Sequence, residues 1–251
     1  MNTEVISLII FGCVVGAVLI GRTLARFLPS EHLSADTKET VKLAMGLLAI
    51  MSALLLGLLV ASAKGSYDKA RGDVIQMAAK VVFLDRVLTG YGPEALEVRA
   101  GLRKILEEMA HRMQPPKANT PVNVTPNTQA GNAIYLAIQH LTPHDEMQRN
   151  LKAQATTLAV ELGQLRTLLV AESISSISKP LLIVVACWLV VIFLSFAVIA
   201  PRNATATTAL MISALSAAAA IFLILELDRP FSGVLRISNE PMLNVLSQLA
   251  K

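Results

Sequence analysis

Apolar positions fall into four long runs along the chain. The first, Val5 to Gly21, is closed by Arg22 and Arg26, and the second, Leu43 to Ala63, by Lys64. The third spans Leu181 to Ala200, between Lys179-Pro180 and Pro201-Arg202. The fourth runs from Thr207 to Leu225 and ends in Glu226-Leu227-Asp228-Arg229-Pro230. At about 1.5 Å per helical residue, each can cross a hydrocarbon core of about 30 Å, the first only just. That first run lacks a basic leading segment and a small-residue cleavage site, so it reads as a retained anchor.

Between the second and third runs the pattern changes. Val60, Ala63, Tyr67, Ala70, Val74, Met77, Val81, Leu84 and Leu88 alternate spacings of three and four, the mark of a helical seam. With no proline in the way, the second span is expected to continue as one helix until Gly90-Tyr91-Gly92-Pro93. A second helix, Pro93 to Met113, places Ala95, Val98, Leu102, Ile105, Met109 and Met113 on one face. Four prolines among Asn and Thr predict a loop over Gln114 to Gln129, followed by a short helix from Ala133 to Leu141. Thr142-Pro143-His144-Asp145-Glu146 then signals a helix start. The helix it opens carries Met147, Leu151, Leu158, Leu162, Leu165 and Leu169, and is expected to run into the third span at Pro180. After Asn239-Glu240-Pro241, a short amphipathic helix is expected to lie on the membrane interface or beneath the spans.

The reading is an all-α protein: a four-helix transmembrane domain with a helical bundle inserted between spans two and three. The expected divisions are 1–63, 64–179, 180–229 and 230–251.

Composition supports this. Hydrophobic residues make up 54% and charged residues 16%, more apolar surface than a soluble domain of this length can cover. Cys13 and Cys187 both sit in apolar runs and read as small buried hydrophobes rather than a disulfide or a metal pair. A formal charge of +4 without any basic run gives no reason to expect a nucleic-acid partner. Basic residues near the membrane favour, by a small margin, placing the bundle and both termini in the cytoplasm.

Catalytic signals are missing. There is no nucleophile elbow, phosphate-cradling glycine loop or zinc-binding helix motif, so no enzyme activity and no cofactor are expected. His140 and His144 have metal-ligand spacing, but Pro143 stands between them and argues against one continuous helix.

Three features suggest assembly or permeation. Gly12 and Gly16 form a Gly-x-x-x-Gly pair in span one, and Gly46, Ala49, Ala53, Gly57 and Ala61 a small-residue stripe in span two. Such stripes let helices approach closely, either within one subunit or between subunits. Ser52 lies mid-span, and Ser213 and Ser216 share a face of span four; each can line a polar path or simply bond its own helix. Glu226 and Asp228 at the exit of span four would form a carboxylate ring in a symmetric oligomer, and Lys64 a rival cationic ring. A capping pair of Glu226 with Arg229 is the plainer alternative.

Four separated motifs carry a resemblance. They are Leu33 to Lys38, Ala53 to Lys64, Leu84-Asp85-Arg86-Val87-Leu88 with Tyr91-Gly92-Pro93-Glu94, and Glu226-Leu227-Asp228-Arg229-Pro230-Phe231-Ser232-Gly233. Together they resemble the bestrophin-like membrane family of bacteria and plants, which is built on a domain of unknown function. The resemblance implies four spans, an inserted helical domain and oligomers. No run here resembles the aromatic and aliphatic neck of true bestrophin pores, so it assigns permeation to no residue. The expected function is a homo-oligomeric ion channel with a slight lean to monovalent cations. The rival is a non-conducting sensor or scaffold whose helical domain binds a protein partner.

Overall fold

A computed structural model describes residues 3–29, 34–113, 128–172, 178–201, 203–231, 234–238 and 240–249. Over these residues the protein is all-helical: α1 (Thr3–Phe27), α2 (Ala35–Tyr91), α3 (Leu96–Met113), α4 (Thr128–His140), α5 (Glu146–Glu172), α6 (Lys179–Ile199), α7 (Ala204–Leu227) and α8 (Glu240–Leu249). The four helices carrying the apolar runs, α1, α2, α6 and α7, are each long and apolar enough to cross a membrane. The protein is a multi-pass membrane protein by that criterion. The chain divides into two compact units, Met1–Ser66 with Ser176–Asp228, and Tyr67–Ser175 with Arg229–Lys251.

In the first unit α1 packs against α6 and α7. Ile10, Val14, Ala17, Val18 and Ala25 bury one face of α1, while Leu8, Ile9, Leu19 and Ile20 point outward. An outward apolar face needs no cover when the solvent is lipid. The crossing with α6 is set by Gly21, where an added Cβ would lie 2.7 Å from both the Leu194 carbonyl oxygen and the Ala197 Cβ. No atom lies within 4 Å of a Cβ built on Gly12 or Gly16. The sequence motif thus marks a face that the protomer leaves open, and the close helix approach is one turn beyond it. The link from α6 to α7 is tied down by Arg22, which donates to the Pro201 carbonyl at 2.9 Å and to Thr207 Oγ1 at 2.7 Å. Asn203 caps α7 by accepting from the Ala206 amide at 2.8 Å.

In the second unit the predicted seam is buried as a continuous stripe of α2: Ala70, Val74, Met77, Val81, Leu84 and Leu88. The 57 residues of α2 form one unbroken helix, as the missing proline implied. Its core partners are Val98, Leu102 and Leu106 of α3, Ile138 of α4, Leu158 and Leu165 of α5, and Met242 and Val245 of α8. The second predicted helix opens with a single 3-10 turn, Pro93–Ala95, before α3 begins.

Five expectations need correction. Cys13 and Cys187 are both free and exposed in the protomer rather than buried, on helix faces that only lipid or another subunit can cover. Met147 stands 69% exposed, so the apolar face of α5 begins only at Leu151. The buried face of α3 centres on Leu102, Leu106 and Ala110, with Ile105 and Met109 half-buried at its flank. Helix α8 buries Met242 and Val245 in this unit's core rather than lying on an interface. Helix α5 does not continue as α6: Ser178 is extended and α6 starts afresh with Pro180 in its first turn. Proline supplies no amide to a preceding turn and its ring clashes with the carbonyl four residues back, so it starts a helix and cannot prolong one. Most of the predicted loop, 114–127, and the junction 173–177 lie outside the described residues.

The α2–α3 turn explains the Tyr91-Gly92-Pro93-Glu94 motif. Gly92 has φ of +119°, a region costly for any residue with a Cβ. Gln148 donates to the Tyr91 carbonyl at 3.0 Å, and Pro93 opens the 3-10 turn. Tyr91 itself is 3% exposed, and its hydroxyl is buried without a hydrogen-bond partner. Burial, then the charges of Glu94 and Asp145, raises the phenol above its ordinary value of 10.0. The folded state therefore holds this proton longer than the unfolded chain. The resulting stability is complete below about pH 10 and is lost as pH climbs toward the raised folded value. Tyr91→Phe should leave the thermal midpoint at pH 7 unchanged or raise it by the equivalent of about 1 kcal/mol, since no bond is lost. It should also blunt the alkaline loss, as melts at pH 7 and above pH 10 will show.

Candidate functional site

Of the four apolar helices, α2 is the least covered. Within its most apolar window 11% of residues are buried, against 28% for each of the other three. The buried edge consists of Ser52, Leu59 and Ala63. About 100° to 140° around the helix, at 100° per residue, lie Gly46, Ala53, Gly57 and Lys64 in one strip. Ala53, Gly57 and Lys64 are exposed, and Gly46 and Gly57 have no atom within 4 Å of a built Cβ. A further turn around stand Leu47, Leu54 and Leu58, each more than half exposed. The helix thus presents a small-residue strip ending in a cation, beside a strip of large aliphatic side chains. Lys64 is engaged by neighbouring groups, so it is a held charge rather than a loose one.

The serines take the plainer of their two roles as far as bonding goes. Ser52 is 2% exposed and donates to the Leu48 carbonyl at 2.8 Å. Ser216 donates to the Ile212 carbonyl at 2.9 Å. Ser213 and Ser216 are both exposed on α7. A hydroxyl satisfied by its own helix can still face a polar path, but it needs none.

The acids at the end of α7 are enclosed. Glu226 is 2% exposed and Asp228 7%, within a run from Ile224 to Asp228 that is buried throughout. Both are engaged by neighbours, as is Arg229. Asp228 closes the helix, its amide donating to the Ile224 carbonyl at 3.2 Å. The chain then turns back, with the Ile237 amide donating to the Pro230 carbonyl at 2.8 Å. The two acids therefore lie in a buried helix end, with neither carboxylate on an open face of the protomer.

Sequence reasoning overlooked the polar contacts that hold the second unit. Arg99 of α3 reaches Asp85 of α2 with two bonds, 2.7 and 3.1 Å long. The Asp85 hydrogen bond, outweighing burial, raises the Arg99 guanidinium above its ordinary value. Lys152 donates to the carbonyls of Gln139 and Leu141 at 2.7 and 2.8 Å, sealing the C-terminus of α4. These pairs are 11 to 14 residues apart in sequence, beyond the reach of helical periodicity. A hint was available in the Leu84-Asp85-Arg86-Val87-Leu88 motif, where an acid stands directly beside the apolar seam.

His140 is the last residue of α4, and His144 lies in the segment before α5, so they do not share a helix face. His32 lies outside the described residues. Among the described residues, no three His, Cys, Asp or Glu side chains gather. Comparison with curated proteins and with solved structures returns no significant match. A family model described as the Bestrophin-like domain matches residues 12–242, nearly the whole chain, and the protein therefore belongs to the bestrophin-like family.

Proposed function

We propose that the chain is one subunit of a homo-oligomeric ion channel in which α2 of each copy lines a shared axis. One observation carries this reading: the Gly46, Ala53 and Gly57 strip of α2 is uncovered in the protomer and ends in a charged residue, Lys64. Small side chains let helix backbones converge, and a charge repeated by symmetry becomes a ring that biases the permeating ion. Permeation is passive. The lean to monovalent cations drawn from the sequence rests on Glu226 and Asp228, and both are buried. An α2-lined axis instead meets the Lys64 ring, which attracts anions. A path along α7, past exposed Ser213 and Ser216, is the arrangement that retains the cation preference.

Purified protein in proteoliposomes, under separate potassium and chloride gradients, tests this. Flux above empty vesicles is expected, with Lys64→Glu shifting preference toward potassium. Conduction unaffected by Lys64→Glu but altered by Ser213→Leu or Ser216→Leu would move the path to α7. A monomeric mass in detergent would overturn the axis altogether.

The second reading, a non-conducting membrane module, draws on the second unit. That unit has its own core and still exposes Ile75, Phe83 and Val160 by 44 to 53%. Absence of flux over voltage, pH and calcium, with a stable oligomer, would favour it. We place the second unit and both termini in the cytoplasm beneath a bacterial inner membrane. Labelling of single cysteines at Lys104 and Lys152 in intact cells checks that side.

A further inference from the structure

A groove of about 320 Å³ lies in the first unit, lined by Phe11 of α1 and by Thr207, Thr208, Met211, Ile212 and Leu215 of α7. From Thr207 to Leu215 it follows nine residues of α7, about 12 Å along the helix axis. At the Thr207 end its wall is bonded to Arg22, whose guanidinium also holds the Pro201 carbonyl. The Nε of Arg22 is buried without a hydrogen-bond partner. Arg26, one turn further along α1, is exposed. No acidic residue occurs in 21–29 or in 201–208. The groove is thus apolar along its length and strongly basic at one end.

We propose that this groove seats one acyl chain of an anionic phospholipid whose phosphate is bound by Arg22 and Arg26. Within a bilayer a concave apolar surface is filled by hydrocarbon, because water is excluded from that depth. The basic end lies where both helices reach the interface, at headgroup level. There the Arg22 guanidinium, held in place by its two bonds, supplies a fixed positive charge, and exposed Arg26 extends into the headgroup layer from its apolar stem to meet the phosphate oxygens. Phe11 supplies a flat apolar floor deeper in the span, and the Thr207 and Thr208 hydroxyls form the polar collar near the phosphate. The seat does not depend on whether the protein conducts.

Native mass spectrometry of the delipidated, detergent-purified protein tests the proposal. Phosphatidylglycerol, phosphatidylcholine of the same chains and inorganic phosphate are added separately. Two interfacial arginines should favour retention of the anionic lipid by at least about tenfold. Arg26→Gln should bring phosphatidylglycerol close to the phosphatidylcholine level. Ile212→Trp, at a position 60% exposed and so compatible with the fold, should fill the groove and reduce retention of both lipids. Equal retention of the two lipids by the unaltered protein would overturn the proposal, as would retention unchanged in either variant. So would thermal stabilisation by inorganic phosphate equal to that by phosphatidylglycerol, which would mean an anion site without a chain. A fall in oligomer mass for Ile212→Trp with lipid retention intact would show a second copy on this face and overturn it too.

Discussion

Gly21→Leu should deprive the protein of a monodisperse folded form in detergent, while Gly16→Leu should leave the fold intact. The contrast rests on two glycines of the same helix, five residues apart. At Gly21 a first side-chain carbon would sit 2.7 Å from a backbone oxygen of α6, the Leu194 carbonyl. A backbone oxygen in a helix cannot swing aside as a long side chain can, so α1 and α6 must separate. Even Gly21→Ala should cost about 1–3 kcal/mol by overpacking, and leucine considerably more. Neighbouring Arg22 would be displaced with it, releasing the Pro201 and Thr207 bonds that pin the α6–α7 link. At Gly16 nothing stands within 4 Å, and a helical glycine replaced by a better helix former gains up to about 1 kcal/mol. Fluorescence-detected size exclusion and thermal melts of the three variants read the difference. Equal behaviour of Gly21→Leu and Gly16→Leu would show that the α1–α6 crossing is wrongly placed. A smaller assembly for Gly16→Leu with an unchanged melt would mark its face as a contact between subunits.

Asp85→Ala should be the most damaging single polar substitution in the second unit. Asp85 receives two bonds from Arg99, and the side chains are 14% and 28% exposed, so water can only partly replace what is lost. Leaving the guanidinium half-buried beside α2 without its carboxylate should cost about 2–3 kcal/mol, a fall of roughly 4–10 °C in the thermal midpoint. The exposed Arg103–Glu107 pair is a useful control, because its side chains are about half exposed. Arg103→Ala should change stability by no more than about 0.5 kcal/mol. Replacing both partners, Asp85→Leu with Arg99→Met, should recover most of the loss, since no charge is then stranded. A double mutant as unstable as Asp85→Ala would show that packing around α2 and α3, not pairing, was damaged.

Much of this architecture was legible in the sequence because lipid and helix impose simple rules. Apolar length fixed the four spans, and alternating three- and four-residue spacings fixed the buried stripe of α2 down to Leu84 and Leu88. Gly92-Pro93 marked the end of that helix correctly, since few backbones other than glycine's accept φ of +119°. Pro180 was visible too, and its meaning as a fresh start for α6 follows from ring chemistry alone.

What the one-dimensional pattern lacks is the identity of the neighbour. Gly12, Gly16 and Gly21 are alike as letters, and only the placement of Leu194 and Ala197 distinguishes the tight crossing from the open face. Glu226 and Asp228 look like an exposed charged exit, yet both are buried. Arg22 reads as a span-ending charge, and the return of α7 makes it a staple between residues 179 and 185 positions apart. Burial of a helix face is a local property encoded in its period. Which groups meet across helices depends on chain return, where loop geometry and side-chain size act over distances that no periodicity records.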